Sequence, residues 1–164
     1  MKAGFACSEL MVNSVLVWGG ICGELKTRLV IIQGNLNAQR YRYDILHPVA
    51  LPFIQQQPHG ILFQHDNARP HTARLTQDFL NNNNINVLPW PACSPDMNPI
   101  EHLWDHLDRQ LRRRPVQPAN RQELERCLVE SWREIPPNVI RRLTTSARHR
   151  VMACINARGG HTRY

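Results

Sequence analysis

Two short segments constrain what this chain can fold into. The first is residues 65–71 (HDNARPH), where Asp66 directly follows a short apolar run. The second is residues 94–101 (SPDMNPIE), where Glu101 opens a stretch with helical periodicity, leaving 34 residues between the two carboxylates. Hard divalent cations take oxygen ligands, and phosphoryl-transfer sites hold them with carboxylates on rigid elements. The pair therefore predicts an α/β fold in which a strand end and a helix start share a small metal pocket.

Each carboxylate also has a purely local explanation. Aspartate is common after a strand because Asp-Asn favours turns. Asn98 is suited to cap a helix whose first residue is Pro99, and glutamate at the third position, here Glu101, closes a capping box. Taken singly, these structural interpretations are favoured. The joint occurrence of the two segments favours a functional site.

The chain is basic, with 20 Lys and Arg against 13 Asp and Glu, a net charge of +7 and a pI near 9.7. This excess favours a polyanionic partner, either nucleic acid or an acidic membrane surface. Arginine, which outnumbers lysine, suits bidentate phosphate contacts. Arg112, Arg113 and Arg114 are the candidate nucleic-acid-binding residues. A solvated basic face explains this run equally well.

Composition also limits the class of protein. The length of 164 residues with 42% hydrophobic content fits one globular domain with a real core. The five cysteines contain no Cys-x-x-Cys pair, which argues against a disulfide framework or a zinc ribbon and for a reducing compartment. No apolar run has the length of a membrane span. We therefore expect a soluble intracellular protein without a membrane partner.

Hydrophobic periodicity predicts alternating strands and helices in the first part of the chain. The first two strands form a hairpin, and Pro48 and Pro52 kink or end the helix that follows. This order predicts a three-layer α/β domain with a mixed sheet. The predicted strands are 11–21, 28–33, 61–64 and 85–90, and the predicted helices are 37–57 and 71–80.

The second segment begins a helical region that continues towards the C-terminus. Residues 114–118 (RPVQP) break it, and Asn120 with Glu123 three residues later forms a helix-start signal. Pro136-Pro137 separates this helix from the last one, which Gly159-Gly160 ends. We therefore expect C-terminal helices that follow the α/β unit.

Longer stretches around these segments resemble a known family. The sequences HDNARPHTA, INVLPWPACSPDMNPIEHLWD and ARGGHTRY are similar to the catalytic domain of DDE transposases of the Tc/mariner superfamily. VLVWGGICG and LNAQRYRYDILHPVALPF resemble the preceding strand and helix of the same family, and the 34-residue gap matches its spacing. The resemblance covers about residues 15–164. It implies a ribonuclease-H-like three-layer fold with a mixed sheet.

The resemblance also implies a site. Asp66 and Glu101 match the second and third members of an acidic triad that holds two Mg²⁺ (or Mn²⁺) ions, with which the family cuts DNA and joins a 3′-hydroxyl to new DNA. It implies DNA as the partner, a nuclear location and a possible homodimer.

The sequence departs from the family pattern at the first member of the acidic triad. In the family this aspartate lies on the opening strand, before the VWG strand. Glu9 is expected to precede the first strand, Glu24 to lie in the hairpin turn and Asp44 on the helix, so none matches. The expectation is a chain that lacks its first strand, one metal ligand and the family's helix-turn-helix region. Weak metal binding, largely nonspecific DNA binding and an inactive fragment would follow.

The predicted organisation has two parts. Residues 1–114 form a partial ribonuclease-H-like catalytic domain, and residues 115–164 form a C-terminal helical segment packed on it. Two other functions stay open. One is a non-enzymatic, basic nucleic-acid-binding remnant, and the other is a ribonuclease-H-like nuclease that uses a substitute carboxylate.

Overall fold

The computed structural model describes residues 4–57, 60–90, 94 and 97–157. Its centre is a six-stranded sheet in the order β3-β2-β1-β5-β6, with β4 also paired to β2. The strands are β1 (Gly4–Val12), β2 (Val15–Cys22), β3 (Leu25–Lys26), β4 (Val30–Ile32), β5 (Leu62–Gln64) and β6 (Asn86–Val87). The helices are α1 (Ala38–Arg40), the π-helical segment π1 (Tyr41–Ala50), α2 (Leu51–Gln55), α3 (Arg69–Thr72), α4 (Arg74–Asn82), α5 (Pro99–Arg112), α6 (Arg121–Glu134) and α7 (Pro137–Asn156).

The expectation of a missing first strand is wrong. Strand β1 precedes the VWG strand β2 and lies in the middle of the sheet. The predicted strand 11–21 is divided at Asn13 and Ser14, whose φ values of 43° and 69° form a two-residue turn between partners Val12 and Val15. Two positive φ values give the hairpin twist that adjacent strands need. The sequence hid this strand because polar residues interrupt it and because Asn-Ser is a weak turn signal.

The sheet is mixed, as predicted. Strand β1 is antiparallel to β2 but parallel to β5, with Gly4 opposite Leu62 and Ala6 opposite Gln64. Strand β6 is also parallel to β5. The carboxyl ends of β1, β5 and β6 therefore meet at one edge of the sheet, where polar groups from several strands converge.

Helices cover both faces, which confirms the three-layer architecture. One hydrophobic cluster joins one face of β1 and β2 to α5, α6 and α7, and contains the Trp104 and Trp132 rings. The other cluster joins the opposite face to π1 and α4, with Phe5 and Phe63 at its centre. Alternate residues of β1 belong to opposite clusters, as expected for a strand buried on both faces.

The helix predicted over 37–57 is observed over Ala38–Gln55 as α1, π1 and α2. Pro48 lies inside the π-helical turns and does not end the helix. The predicted 71–80 helix is divided into α3 and α4 by Ala73, whose ψ of 143° is extended. Within the described part of the chain, no helix is both long and apolar enough to cross a bilayer. The described cysteines are free thiols.

The C-terminal helices begin where the sequence predicts. The side chain of Asn120 accepts a hydrogen bond from the Glu123 N–H, and the Glu123 carboxylate accepts one from the Ala119 N–H. These two hydrogen bonds satisfy backbone N–H groups at the N-terminus of α6, which is therefore capped. The predicted helix end at Gly159-Gly160 lies outside the described residues, as does most of the ARGGHTRY segment.

Candidate active site

Asp66 lies two residues beyond β5, at the carboxyl edge of the sheet. Its Oδ1 accepts a hydrogen bond of 2.8 Å from the Ala68 N–H, so the predicted Asp-Asn turn is present. The same oxygen lies 2.6 Å from His71 Nδ1, and half of the side chain is exposed. The local turn and an accessible carboxylate at the sheet edge are therefore compatible.

Glu101 lies in the first turn of α5. Asn98 caps this helix by accepting from the Ile100 N–H, as predicted. The predicted capping box at Glu101 is wrong, because its Oε1 accepts a 2.7 Å hydrogen bond from Ser8 Oγ on β1. The Glu101 carboxylate is therefore bound to strand β1 and not to the N-terminus of α5.

Glu9 is a member of the site that sequence reasoning missed. It lies on β1, not ahead of the first strand, and its Oε1 is 2.8 Å from His71 Nε2. Its side chain is 16% exposed. The other two acidic residues considered are elsewhere, with Asp44 paired to Arg40 and Glu24 paired to Arg141. A Ser-Glu pair within an otherwise apolar run was the only sequence signal for Glu9.

His71 joins two of the three carboxylates. Its two ring nitrogens contact Asp66 and Glu9, while its ring packs against Tyr41 at 4.3 Å and against His65 at 4.9 Å between centroids. The His71 side chain is fully buried. A buried imidazole fixed on both nitrogens holds both carboxylates in place.

Charge distribution follows from these contacts. Burial alone lowers the pKa of His71, but the hydrogen bonds to Asp66 and Glu9 outweigh it and raise the pKa to about 9. The hydrogen bond to His71 lowers the pKa of Asp66. Burial, followed by the neighbouring charge of His71, lowers the pKa of His65 to about 3. The site at neutral pH therefore contains one imidazolium, His71, between two carboxylates.

The charges of Asp66 and Glu9 also affect Glu101, which lies on helix α5. Burial raises its pKa, the hydrogen bond from Ser8 opposes this shift, and the charges of Asp66 and Glu9 raise the pKa further. The charges of Asp66 and Glu9 therefore disfavour the ionised form of Glu101. A bound divalent cation would offset this effect.

Ligand atoms of Glu9, Asp66 and His71 all lie within 4.8 Å of one another. Two carboxylates provide the oxygen ligands that Mg²⁺ and Mn²⁺ prefer. Glu101 is not among these ligand atoms, although the charges of Asp66 and Glu9 raise its pKa. The second oxygens of Asp66 and Glu9 accept no hydrogen bond from the described residues. The residues present therefore fit a divalent metal centre.

A cavity of about 300 Å³ adjoins Asp66. Amide side chains of Asn67, Gln77 and Asn81 line it together with Trp90. The Asn67 amide donates to the Trp90 carbonyl, which fixes one wall. The candidate site therefore opens into a mixed polar and aromatic space.

The structure does not bring the arginine run to these carboxylates. Arg112 lies eleven residues along α5 from Glu101, about 16 Å at 1.5 Å per residue. Arg112 pairs with Asp108, and Arg114 pairs with Glu130. Arg113 is exposed and has no ion pair among the described residues.

Comparison with known proteins shows the family of the chain. A family model described as "DDE superfamily endonuclease" matches residues 11–125. The chain belongs to this family. The Tc1 transposase of Caenorhabditis elegans is 34% identical over 154 residues, which cover 93% of this chain and 55% of the relative. The Tcb1 transposase of Caenorhabditis briggsae is 35% identical with the same coverage. The chain spans about half the length of the curated relatives it matches.

Solved structures show the same fold. The Mos1 transposase catalytic domain with raltegravir and Mn superposes with a TM-score of 0.82 at 22% identity, covering 98% of this chain and 84% of that one. The Mos1 mariner paired-end complex with Mn gives a TM-score of 0.81 at 18% identity, covering 99% and 56%. The ribonuclease-H-like fold of a Tc/mariner-type DDE catalytic domain is confirmed.

Proposed function

We propose that this chain is the domain of a Tc/mariner-type transposase that cleaves DNA strands and transfers them in a metal-dependent reaction. The observation that carries the proposal is the grouping of Asp66 and Glu9 around His71 at the carboxyl edge of the sheet, with Glu101 near enough for their charges to raise its pKa. The matched relatives are transposases, which supports this reaction class.

Asp66, Glu101 and Glu9 would hold Mg²⁺ or Mn²⁺. Bound divalent ions supply a lowered pKa for the attacking hydroxyl and charge stabilisation for the leaving oxygen. The expected weak metal binding and inactivity assumed that Glu9 lay outside the sheet. Since Glu9 is on β1, it provides the substitute third carboxylate, and we propose that the site is complete enough to cut DNA.

The protein's own residues prepare this site. His71 holds Asp66 and Glu9 at fixed positions through both ring nitrogens. The half-exposed Asp66 leaves the pocket accessible to a phosphate group from solvent. Glu9 and Glu101 are each partly buried, which limits the water that competes for their oxygens.

DNA is the proposed substrate, bound mainly through phosphates and with little sequence preference. The net charge of +7 supports this partner. Among Arg112, Arg113 and Arg114, the unpaired Arg113 is the best available phosphate ligand, while its neighbours must first leave Asp108 and Glu130. A nuclear location and a homodimer, as in the family, complete the proposal.

Nicking of supercoiled plasmid with Mn²⁺ tests this function. We expect Asp66→Asn and Glu101→Gln to reduce nicking at least about 100-fold, since a lost ligand misplaces the metal. Glu9→Gln should also reduce it. Asp44→Asn, a carboxylate paired with Arg40, is the matched control and should retain full activity.

Nicking that survives both Asp66→Asn and Glu101→Gln would overturn the assignment. DNA binding without any metal-dependent nicking would favour the basic, non-enzymatic alternative.

A further inference from the structure

We propose that Ser8 is a positioning residue that fixes the Glu101 carboxylate at the metal site through a chain of hydrogen bonds, Trp104–Ser8–Glu101. These hydrogen bonds connect β1 to α5, and Ser8 and Trp104 are 96 residues apart in the sequence. The inference rests on the proposed metal site and adds a residue that touches neither metal nor DNA.

The direction of these hydrogen bonds is determined. Trp104 Nε1 donates to Ser8 Oγ at 2.8 Å, and Ser8 Oγ donates to Glu101 Oε1 at 2.7 Å. An indole N–H can only donate, and a hydroxyl has a single proton. Because Trp104 occupies an acceptor position of Ser8, the hydroxyl proton is directed to Glu101. A hydrogen bond to an ionised carboxylate is stronger than a neutral one.

The surroundings make this chain rigid. Ser8 is 3% exposed and Trp104 is 2% exposed. Ser8 pairs with Gly19 on β2, where a Cβ would lie only 2.8 Å from Trp104 Cη2. The missing side chain at Gly19 therefore allows the indole to approach the backbone of β2. Trp132 closes the other side, with ring centroids 5.0 Å apart.

Strand register puts Ser8 at the level of the site. Ala6 is opposite Gln64 in the parallel pair β1–β5, and Ser8 and Asp66 each lie two residues beyond this last pair. Glu101 has a competing partner, since glutamate at the third helical position ordinarily returns to the N-cap backbone. Ser8 replaces that partner and holds the carboxylate against β1. Carboxylates held to within about 0.5 Å are what a metal centre needs.

Mn²⁺ affinity in a double-mutant cycle tests the inference. Titrations of the full chain followed by electron paramagnetic resonance would compare wild type, Ser8→Ala, Glu101→Gln and the double variant. We expect Ser8→Ala to weaken Mn²⁺ binding about fivefold or more, and to have no further effect when Glu101→Gln is already present. Trp104→Phe should weaken binding by a smaller factor, because it removes only the N–H donor.

Two controls separate positioning from general packing. Ser131 is also buried and hydrogen-bonded, to Arg114 on the far side of the core, so Ser131→Ala should leave Mn²⁺ affinity within twofold of wild type. Ser8→Cys, which is close in size and retains a weak donor, should recover part of the lost affinity.

The outcomes are distinguishable. Losses from Ser8→Ala and Glu101→Gln that add independently would show that Ser8 acts through general packing, and would overturn the inference. Unchanged affinity in Ser8→Ala, with the expected losses in Asp66→Asn and Glu101→Gln, would also overturn it while leaving the metal site intact. Unchanged affinity in Asp66→Asn and Glu101→Gln would overturn the metal site and the inference together.

Discussion

At the residue scale, a single imidazole explains how several carboxylates can occupy one sheet edge. His71 is fully buried, yet its contacts with Asp66 and Glu9 raise its pKa to about 9. Its positive charge compensates two carboxylates that would otherwise repel each other. The protonated state of His71 is therefore part of the folded structure at neutral pH.

This has a consequence for stability against pH. A group whose pKa is higher in the folded state stabilises the fold below its unfolded pKa, near 6.5, and loses that contribution as pH rises through its folded pKa. For His71 the loss falls between about pH 6.5 and 9 and amounts to at most about 3 kcal/mol.

We therefore predict that the free energy of unfolding of the wild type decreases between pH 6.5 and 9 relative to His71→Gln. Urea unfolding at pH 6, 7.5 and 9 would measure it. Parallel pH profiles for the two proteins would mean that His71 is not protonated in the fold.

The sequence predicted Asp66 and Glu101 as site residues, but not Glu9, Ser8 or His71. Asp66 and Glu101 are marked by their local contexts, a turn after a strand and the first turn of a helix. Glu9 and Ser8 gain their roles from partners 62 and 93 residues away. Such contacts depend on strand register, which local patterns in this segment did not define.

At the element scale, strand β2 (VWGG) has two glycines where aromatic rings pack closely on its backbone. Gly19 and Gly20 are adjacent residues on opposite faces of β2, under aromatic rings from opposite clusters. A Cβ at Gly19 would contact Trp104 and Trp132, and one at Gly20 would overlap the Phe5 ring. Aromatic rings on both faces of β2 therefore pack directly on its backbone.

We predict that Gly20→Ala destabilises the protein by about 1–3 kcal/mol, because the Phe5 ring must move in a packed core. Gly4→Ala is the control, since a Cβ there meets only the Leu62 carbonyl oxygen at 3.9 Å. Thermal unfolding of both variants would compare them. Equal melting temperatures would contradict the packing argument.

Helix α6 offers a test of a predicted element boundary. Asn120→Ala removes the acceptor for the Glu123 N–H and should cost about 1 kcal/mol. Asn120→Asp keeps a capping oxygen and should remain close to wild type in urea unfolding. Equal free energies of unfolding for Asn120→Ala and Asn120→Asp would mean that this side-chain cap contributes little to stability.

Element types were more predictable than element limits. The caps at Asn98 and Asn120 and the strand before Asp66 follow from local chemistry, so the sequence located α5, α6 and β5. Strand β1 was missed because its polar residues face a site rather than solvent. Ala73 divides α3 from α4 although its residue type favours helix.

At the scale of the whole molecule, the charge of the chain favours a polyanionic partner. The chain has a net charge of +7 and a ribonuclease-H-like fold in which Glu9 and Asp66 form a small group with His71. The excess of basic charge attracts polyanions over long range. The family relationship was predictable because its motifs are long.

We predict nonspecific duplex binding that weakens steeply with salt. Arg113→Ala should reduce affinity and lower the salt slope by about 1, since it removes one phosphate contact. Arg112→Ala should have a smaller effect, because Arg112 is already paired with Asp108. Fluorescence anisotropy over a salt series would measure both variants. Salt-independent or sequence-selective binding would contradict this prediction.

The most direct test of the metal centre is anomalous diffraction from crystals soaked in Mn²⁺. We expect a manganese peak within ligand distance of Asp66, with Glu101 and Glu9 as further ligands, and no such peak in Asp66→Asn crystals. A peak at other residues, or an unchanged peak in Asp66→Asn crystals, would contradict it.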